Sequence, residues 1–273
     1  MSRAEIEGRQ MAQQFRDKNN LGNQPIGDLV TLIEQACAAD VAIVEAPADE
    51  HGMTMCAAER RTVFIAVACT ENPMRQRSTL AHELGHVLFD DIGVPAEAQI
   101  ESRADAFARH LLLPLGGLSE AIETMCGTPE PEELLSRVVQ RFRVSPALAA
   151  IQLELGKHIS RAEKEHLKQL TTPRVAARFG WSDLYRSLQR ESCQPRPPQQ
   201  LLARAVVGYM DNIVSVRQLA ALRVKPVAEI EAEYREAGIS PREIDVAWAS
   251  PESLPDIDID LQALEADLAA GEE

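Results

Sequence analysis

Apolar residues recur at helical spacing along most of this chain, and only three short early runs have a β-prone composition. These runs predict strands at 41–46, 52–57 and 62–68, which loops and turns join into a small antiparallel sheet. Helices are predicted before them at 4–18 and 26–39. After Pro114 the helical pattern continues, at about 117–126, 131–142, 145–157, 160–169, 173–189, 197–211, 215–223 and 226–237. The pattern predicts an α+β fold with a mostly α-helical C-terminal region.

One predicted helix, which packs on that sheet, carries the sequence His82-Glu83-Leu84-Gly85-His86, the H-E-x-x-H pattern of zinc hydrolases. Its two histidines lie one turn apart on one face and can share a single Zn²⁺. The glutamate beside the first histidine can then act as a base toward a water that the metal activates. The opposite face is apolar and faces a core, through Leu80, Leu84, Val87 and Leu88. The alternative interpretation is a chance match on a core helix with two hydrogen-bonded histidines.

A second helix is predicted from Glu101 to Leu113, and Pro114 ends it. Glu101 and Asp105 share one face with apolar residues, so we expect both carboxylates to lie on the buried side of the helix. A buried carboxylate needs a partner. We therefore assign Glu101 as the third metal ligand and Asp105 as the group that orients a ligand histidine. Alternatively, both acids would only complement the dipole at the start of the helix.

Two segments together resemble the ImmA/IrrE family of metallopeptidases. They are Arg77-Ser78-Thr79-Leu80-Ala81-His82-Glu83-Leu84-Gly85-His86 and Glu101-x-x-Ala104-Asp105-x-Phe107-Ala108-x-x-Leu111-Leu112-Leu113-Pro114. The resemblance covers roughly residues 20–155 and implies a gluzincin-like zinc peptidase core. It implies that His82, His86 and Glu101 hold Zn²⁺, that Glu83 is catalytic, and that Asp105 orients His82. It also implies a substrate, because members of this family typically cleave helix-turn-helix repressors.

Composition and the positions of helix-breaking and linker residues divide the chain into a peptidase domain at 1–159, a helical C-terminal domain at 160–249 and an acidic, disordered tail at 250–273. The net charge is −14, of which the tail contributes −8, whereas residues 161–225 carry a local +7. Such asymmetry can indicate a nucleic-acid-binding surface. A solvated helical domain is the favoured interpretation, because no aromatic residues interleave the charges. A helix-turn-helix at 215–237 would place several glutamates toward phosphates, which argues against direct nucleic-acid binding.

The remaining features favour a cytoplasmic protein. No apolar run has the length of a membrane span, residues 1–20 lack the apolar segment of a signal peptide, and the five cysteines have no paired metal spacing. The sequence thus predicts a zinc metalloendopeptidase acting on a DNA-binding repressor, with no membrane partner. Two alternatives remain open: a zinc-containing regulatory protein that binds the repressor without cutting it, and a nucleic-acid-binding regulator. The donor that would stabilise the oxyanion beside zinc is also open among Tyr185, Tyr209, Tyr234, His51 and His110.

Overall fold

The structure is a computed structural model that describes residues 2–47, 52–57, 62–95, 97–125, 127 and 129–243. The first part of the chain contains α1 Arg3–Lys18, α2 Leu29–Cys37, β1 Asp40–Val44, β2 Gly52–Ala57, β3 Thr62–Ala68, α3 Pro73–Leu88 and α4 Ala98–Leu112. Only helices follow: α5 Leu115–Glu123, α6 Pro131–Phe142, α7 Pro146–Leu155, α8 Arg161–Leu167, α9 Thr172–Arg178, α10 Ser182–Ser192, α11 Gln199–Met210, α12 Val216–Arg223 and α13 Val227–Glu236. The predicted α+β class and its helical C-terminal region are confirmed.

The three strands form a mixed sheet, so the prediction of an antiparallel sheet was wrong in this detail. The strand order is β1-β3-β2, with β2 antiparallel to β3 and β1 parallel to β3. The reason is that β3 returns from β2 and inserts beside β1, where it runs in the same direction as β1. Hydrophobic patterning defines which residues form a strand, but it carries no information on which neighbour that strand will choose.

Two helix boundaries differ from the sequence pattern because of single residues. The helix predicted at 26–39 begins only at Leu29, since the Asp28 side chain accepts the backbone N–H of Thr31 and so caps it. The helix predicted at 173–189 is split into α9 and α10. Gly180 lies between them with a φ of +77°, a left-handed conformation that glycine adopts without strain and that ends the helix.

One main core joins the sheet to α3 and α4 and continues into the later helices. Its members include Ile65 of β3, Leu84 of α3 and Phe107 of α4, all fully buried, and it extends as far as Leu188 of α10. A second, smaller cluster lies among α11, α12 and α13. Residues 1–240 form one unit; the predicted tail 250–273 lies outside the described residues, and the domain division at 159/160 stays a prediction. No helix in the described part of the chain combines the length and apolarity needed to cross a membrane.

Helix α1 supports α4 through a very close backbone approach at Gly8. A Cβ at this position would lie 2.6 Å from the backbone nitrogen of Phe107 and 2.7 Å from the carbonyl oxygen of Arg103. These are main-chain atoms of the helix that carries Glu101, and they cannot move aside without moving α4. The absence of a side chain at Gly8 therefore helps to fix the position of the helix that carries Glu101.

Replacing Gly8 with alanine is expected to destabilise the fold although alanine is the better helix former. Overpacking costs about 1–3 kcal/mol, against a gain of about 1 kcal/mol in helix propensity. The measurement is the urea midpoint of unfolding, with Gln10→Ala as control because Gln10 lies on the exposed face of α1. If the urea midpoint of Gly8→Ala equals or exceeds that of the parent chain, α1 and α4 can move apart without loss of stability, which would contradict this prediction.

Candidate metal centre

Helix α3 begins with a strong local signal and carries three of the five predicted site residues. The side chain of Asn72 accepts the backbone N–H of Arg75, and Pro73 occupies the first turn, where its missing N–H costs nothing. From this fixed start, the helical period turns Leu80 and Leu84 into the core. His82, Glu83 and His86 are left on the side that faces α4 and β2.

Gly85, inside the H-E-x-x-H motif, allows α3 and α4 to approach each other. A Cβ on Gly85 would lie 3.1 Å from Cδ1 of Phe107 and 3.3 Å from Cα of Ala104. Both distances are tighter than ordinary van der Waals contact. The two helices are therefore close enough for the carboxylate of Glu101, on α4, to reach the imidazoles on α3.

Three side chains converge where these helices face each other. Nε2 of His82 lies 3.0 Å from Nε2 of His86 and 3.1 Å from Oε2 of Glu101. Nε2 of His86 lies 3.7 Å from Oε1 of Glu101. One potential ligand atom from each residue falls within a single cluster 4.8 Å across. The sequence prediction had proposed these three residues as ligands, and the structure brings them together.

The second ring nitrogen of His82 indicates which tautomer this histidine adopts. Nδ1 donates its hydrogen to Oδ1 of Asp105 over 2.9 Å, which leaves the lone pair of Nε2 directed at the cluster. Burial disfavours the charged imidazolium, but the hydrogen bond to Asp105 and the charges of Asp105, Glu101 and Glu83 outweigh burial and raise the pKa of His82. The same negative surroundings would attract a metal cation, which would compete with that proton.

His86 has an equivalent carboxylate, Asp91, which the sequence prediction missed. Oδ2 of Asp91 lies 3.8 Å from Nδ1 of His86, and the backbone N–H of Asp91 donates to the carbonyl of His86 over 2.9 Å. The carboxylate is 6% exposed; its Oδ1 accepts from Arg103, whereas Oδ2 is buried with no hydrogen-bond partner among the described residues. A small rotation of the imidazole would bring Nδ1 of His86 within hydrogen-bonding distance of Oδ2 of Asp91. Asp91 is therefore placed to orient His86 as Asp105 orients His82.

Replacing Asp91 with asparagine is expected to weaken metal binding by about 10–100-fold, the usual effect of losing a partner of a ligand histidine. The affinity for Zn²⁺ is measured by competition with a chromophoric chelator. Asp90→Asn is the matched control, because Asp90 is exposed and its left-handed backbone, with a φ of +58°, tolerates asparagine. Equal affinities for the two variants would remove Asp91 from the site.

Glu83 lies beside the convergent group and faces the edge of the sheet. Oε2 of Glu83 accepts the hydroxyl hydrogen of Thr54 on β2 over 2.6 Å. A Cβ on Gly52 would lie only 3.1 Å from Oε1 of Glu83, so this glycine leaves room at the second oxygen. Sequence reasoning found Glu83 but neither Thr54 nor Gly52, since nothing in the local pattern of β2 indicates that one of its faces meets α3.

The expected burial of the two carboxylates on α4 was wrong. The side chains of Glu101 and Asp105 are 42% and 62% exposed, although Ala104, Ala108 and Leu112 on the same helix are buried. Projection on a helical wheel ignores position along the axis. At the start of α4 the face that carries Glu101 and Asp105 borders solvent, although the adjacent Ala104 is fully buried; further along the helix, Ala108 and Leu112 lie in the core. The site is therefore open to solvent on the side of Glu101.

The side chains that could have stabilised an oxyanion are engaged elsewhere in the described part of the chain. His110 is buried and hydrogen-bonds to Glu5 over 2.8 Å. Tyr185 packs against Trp181 in the main core, and the rings of Tyr209 and Tyr234 contact each other in the second cluster. His51 lies outside the described residues.

The residues present fit a bound metal ion. The group offers two imidazole nitrogens and one carboxylate oxygen, the donor set of zinc sites that keep one coordination position open. In neutral His82 the hydrogen bond to Asp105 keeps the proton on Nδ1 and leaves Nε2 available to a metal, and the unpartnered oxygen of Asp91 is positioned to do the same for His86. An H-E-x-x-H helix packed on a small sheet, with a glutamate supplied by the next helix, is the arrangement of a metallopeptidase.

Comparison with known families agrees with this class. Residues 37–154 match the model of the IrrE N-terminal-like domain, Peptidase_M78, which is the model of the ImmA/IrrE family of metallopeptidases. The match begins at the end of α2 and ends within α7, so it includes the sheet and both helices of the site. The family resemblance in the sequence is confirmed. No curated protein matches the chain.

Proposed function

We propose that this chain is a zinc-dependent endopeptidase that cuts a helix-turn-helix transcriptional repressor. The observation that carries the proposal is the convergence of His82, His86 and Glu101 on the helix pair that also presents the carboxylate of Glu83. The metallopeptidase family of residues 37–154 supports hydrolysis of a protein substrate. The repressor as substrate rests on the family resemblance, and a cytoplasmic location would be consistent with it.

The three converging residues would hold Zn²⁺, oriented by Asp105 and Asp91. Bound there, the ion would supply Lewis-acid chemistry, which polarises a peptide carbonyl and makes a water more acidic. Oε2 of Glu83 accepts the hydroxyl hydrogen of Thr54, which holds the carboxylate in place, and Oε1 would accept a proton from the attacking water. Glu83 then delivers this proton to the leaving amine nitrogen as the C–N bond breaks.

The substrate would bind along β2. Among the described strands β2 pairs only with β3, so its other edge leaves backbone donors and acceptors open to an extended peptide. Strand addition of this kind holds any sequence by its main chain, and Thr54 of the same strand already contacts Glu83. The scissile bond of such a peptide would pass the catalytic carboxylate.

The test is intact-mass analysis of the repressor encoded nearest to this gene after co-expression with the chain. Two repressor fragments whose masses sum to that of the intact repressor plus one water molecule would support the proposal. Purified chain that has been stripped of metal and reloaded with Zn²⁺ should reproduce the same cut. A repressor that stays intact with the zinc-loaded chain contradicts the proposed substrate.

A further inference from the structure

A cavity of about 280 Å³ lies next to the first half of α3, away from the metal centre. Its wall is formed by the start of α2, the first turns of α3 and the chain that follows α10. Neither the three converging residues nor Glu83 contributes to this wall. Its volume approaches the lower limit of typical small-molecule pockets.

Arg77 brings a positive charge and a buried, unsatisfied donor to this cavity. Its two terminal nitrogens donate to the backbone carbonyls of Gly27 and Ile26 over 2.8 and 2.7 Å, which fixes the guanidinium. Its Nε is buried without a hydrogen-bond partner among the described residues, and the carboxylates of Glu191 and Asp28 act on its charge only through space. Burial and, to a lesser extent, the neighbouring charge of Arg143 lower the pKa of Arg77 to about 10. A buried donor without a hydrogen bond, such as Nε of Arg77, is costly, and a bound acceptor would remove that cost.

Arg143 lines the same cavity and adds a second positive charge. It caps α6 with a φ of +52°, and within the part of the chain that the structure describes no acceptor is assigned to its side chain. A third arginine of the wall, Arg196, is already balanced by Asp28 at 3.4 Å and Glu34 at 3.8 Å. The exposed Glu191 at the rim attracts Arg77 through space and offsets part of the repulsion by Arg143. Two guanidinium groups therefore repel each other across a space large enough for a ligand.

Part of the wall is apolar. Met74, Leu80 and Leu188 contribute buried side chains to it. We infer that the cavity binds a small organic anion, with a carboxylate or phosphate group between Arg77 and Arg143 and an apolar body against these three residues. Such a group would neutralise both arginines, and guanidinium is the side chain best suited to hold planar or tetrahedral oxyanions.

The inference is tested by calorimetric titration of the full chain with hexanoate, hexyl phosphate and uncharged hexanol at constant ionic strength. We expect at least one anion to bind saturably and at least tenfold more tightly than hexanol, and the comparison of the two anions identifies the preferred head group. Arg143→Gln should weaken that binding at least tenfold. Arg141→Gln should leave it unchanged, because Arg141 is exposed at the same helix end and lies outside the wall.

A second measurement does not depend on any variant that might fail to fold. The methyl resonance of ¹³C-labelled Met74 in the unmodified chain should shift on saturation with the binding anion and remain in place with hexanol. Equal affinity for hexanol and the anions, binding unchanged in Arg143→Gln, or no saturable binding of any probe would each overturn the inference. None of these readouts uses peptidase activity, so the result is independent of the proposed function.

Discussion

Glu83→Gln is expected to lower the rate of peptide hydrolysis by roughly 10²–10⁴-fold, the contribution typical of a positioned general acid–base. Glutamine keeps the length of the side chain and can still contact Thr54, but it cannot accept and return a proton. Metal affinity should change little, because Glu83 is not one of the three side chains whose ligand atoms converge. The measurements are initial rates of repressor cleavage and the Zn²⁺ content of the same preparations.

The outcomes separate the alternatives for this chain. Glu97→Gln is the matched control, since Glu97 is an exposed glutamate just before α4 with no side-chain role in capping it. Cleavage at the parental rate by Glu83→Gln would remove the catalytic role of this residue. If Glu83→Gln and the parent chain both relieve repression without cutting the repressor, the chain acts as a stoichiometric anti-repressor. Salt-sensitive binding to DNA would instead favour the nucleic-acid-binding alternative.

The two helices that carry the converging side chains could be predicted from sequence because their signals are local. The spacing of His82 and His86 and the break at Pro114 depend only on helix geometry, which repeats every 3.6 residues. The choice of Glu101 as a site residue followed from the same helix geometry, whereas the exposure of its side chain to solvent did not. How far a side chain lies from solvent depends on which turns of α4 other elements cover, and this is decided by tertiary packing.

The supporting residues of the site could not be predicted, since each acts across a long distance in sequence or through a turn. Thr54 reaches Glu83 from a strand 29 residues earlier. Asp91 comes close to His86 because Asp90 adopts a left-handed backbone conformation. Two aspartates after a helix do not by themselves predict that conformation. The parallel pairing of β1 with β3 could not be predicted either, because strand order is a property of the whole sheet.

Glu101→Gln is expected to have the largest effect on metal binding, a loss of affinity of at least about 100-fold, at the upper end of what removal of an outer partner costs. The amide keeps the shape of the side chain but loses the negative charge, and its oxygen is a poor replacement for a carboxylate. The charge matters here because the carboxylate approaches both imidazoles, 3.1 Å from Nε2 of His82 and 3.7 Å from Nε2 of His86. Chelator competition gives the dissociation constant for Zn²⁺.

The same variant also tests whether Glu101 acts as a ligand or only as an acid at the start of α4. An acid that merely complements the helix dipole contributes about 0.3–1 kcal/mol to stability and nothing specific to metal affinity. Glu97→Gln, one turn earlier, controls for that contribution. If Glu101→Gln shifts the melting temperature of the metal-free protein as Glu97→Gln does, yet loses the rise in melting temperature that Zn²⁺ produces in the parent chain, Glu101 is a ligand. An unchanged response to Zn²⁺ would leave only the dipole role.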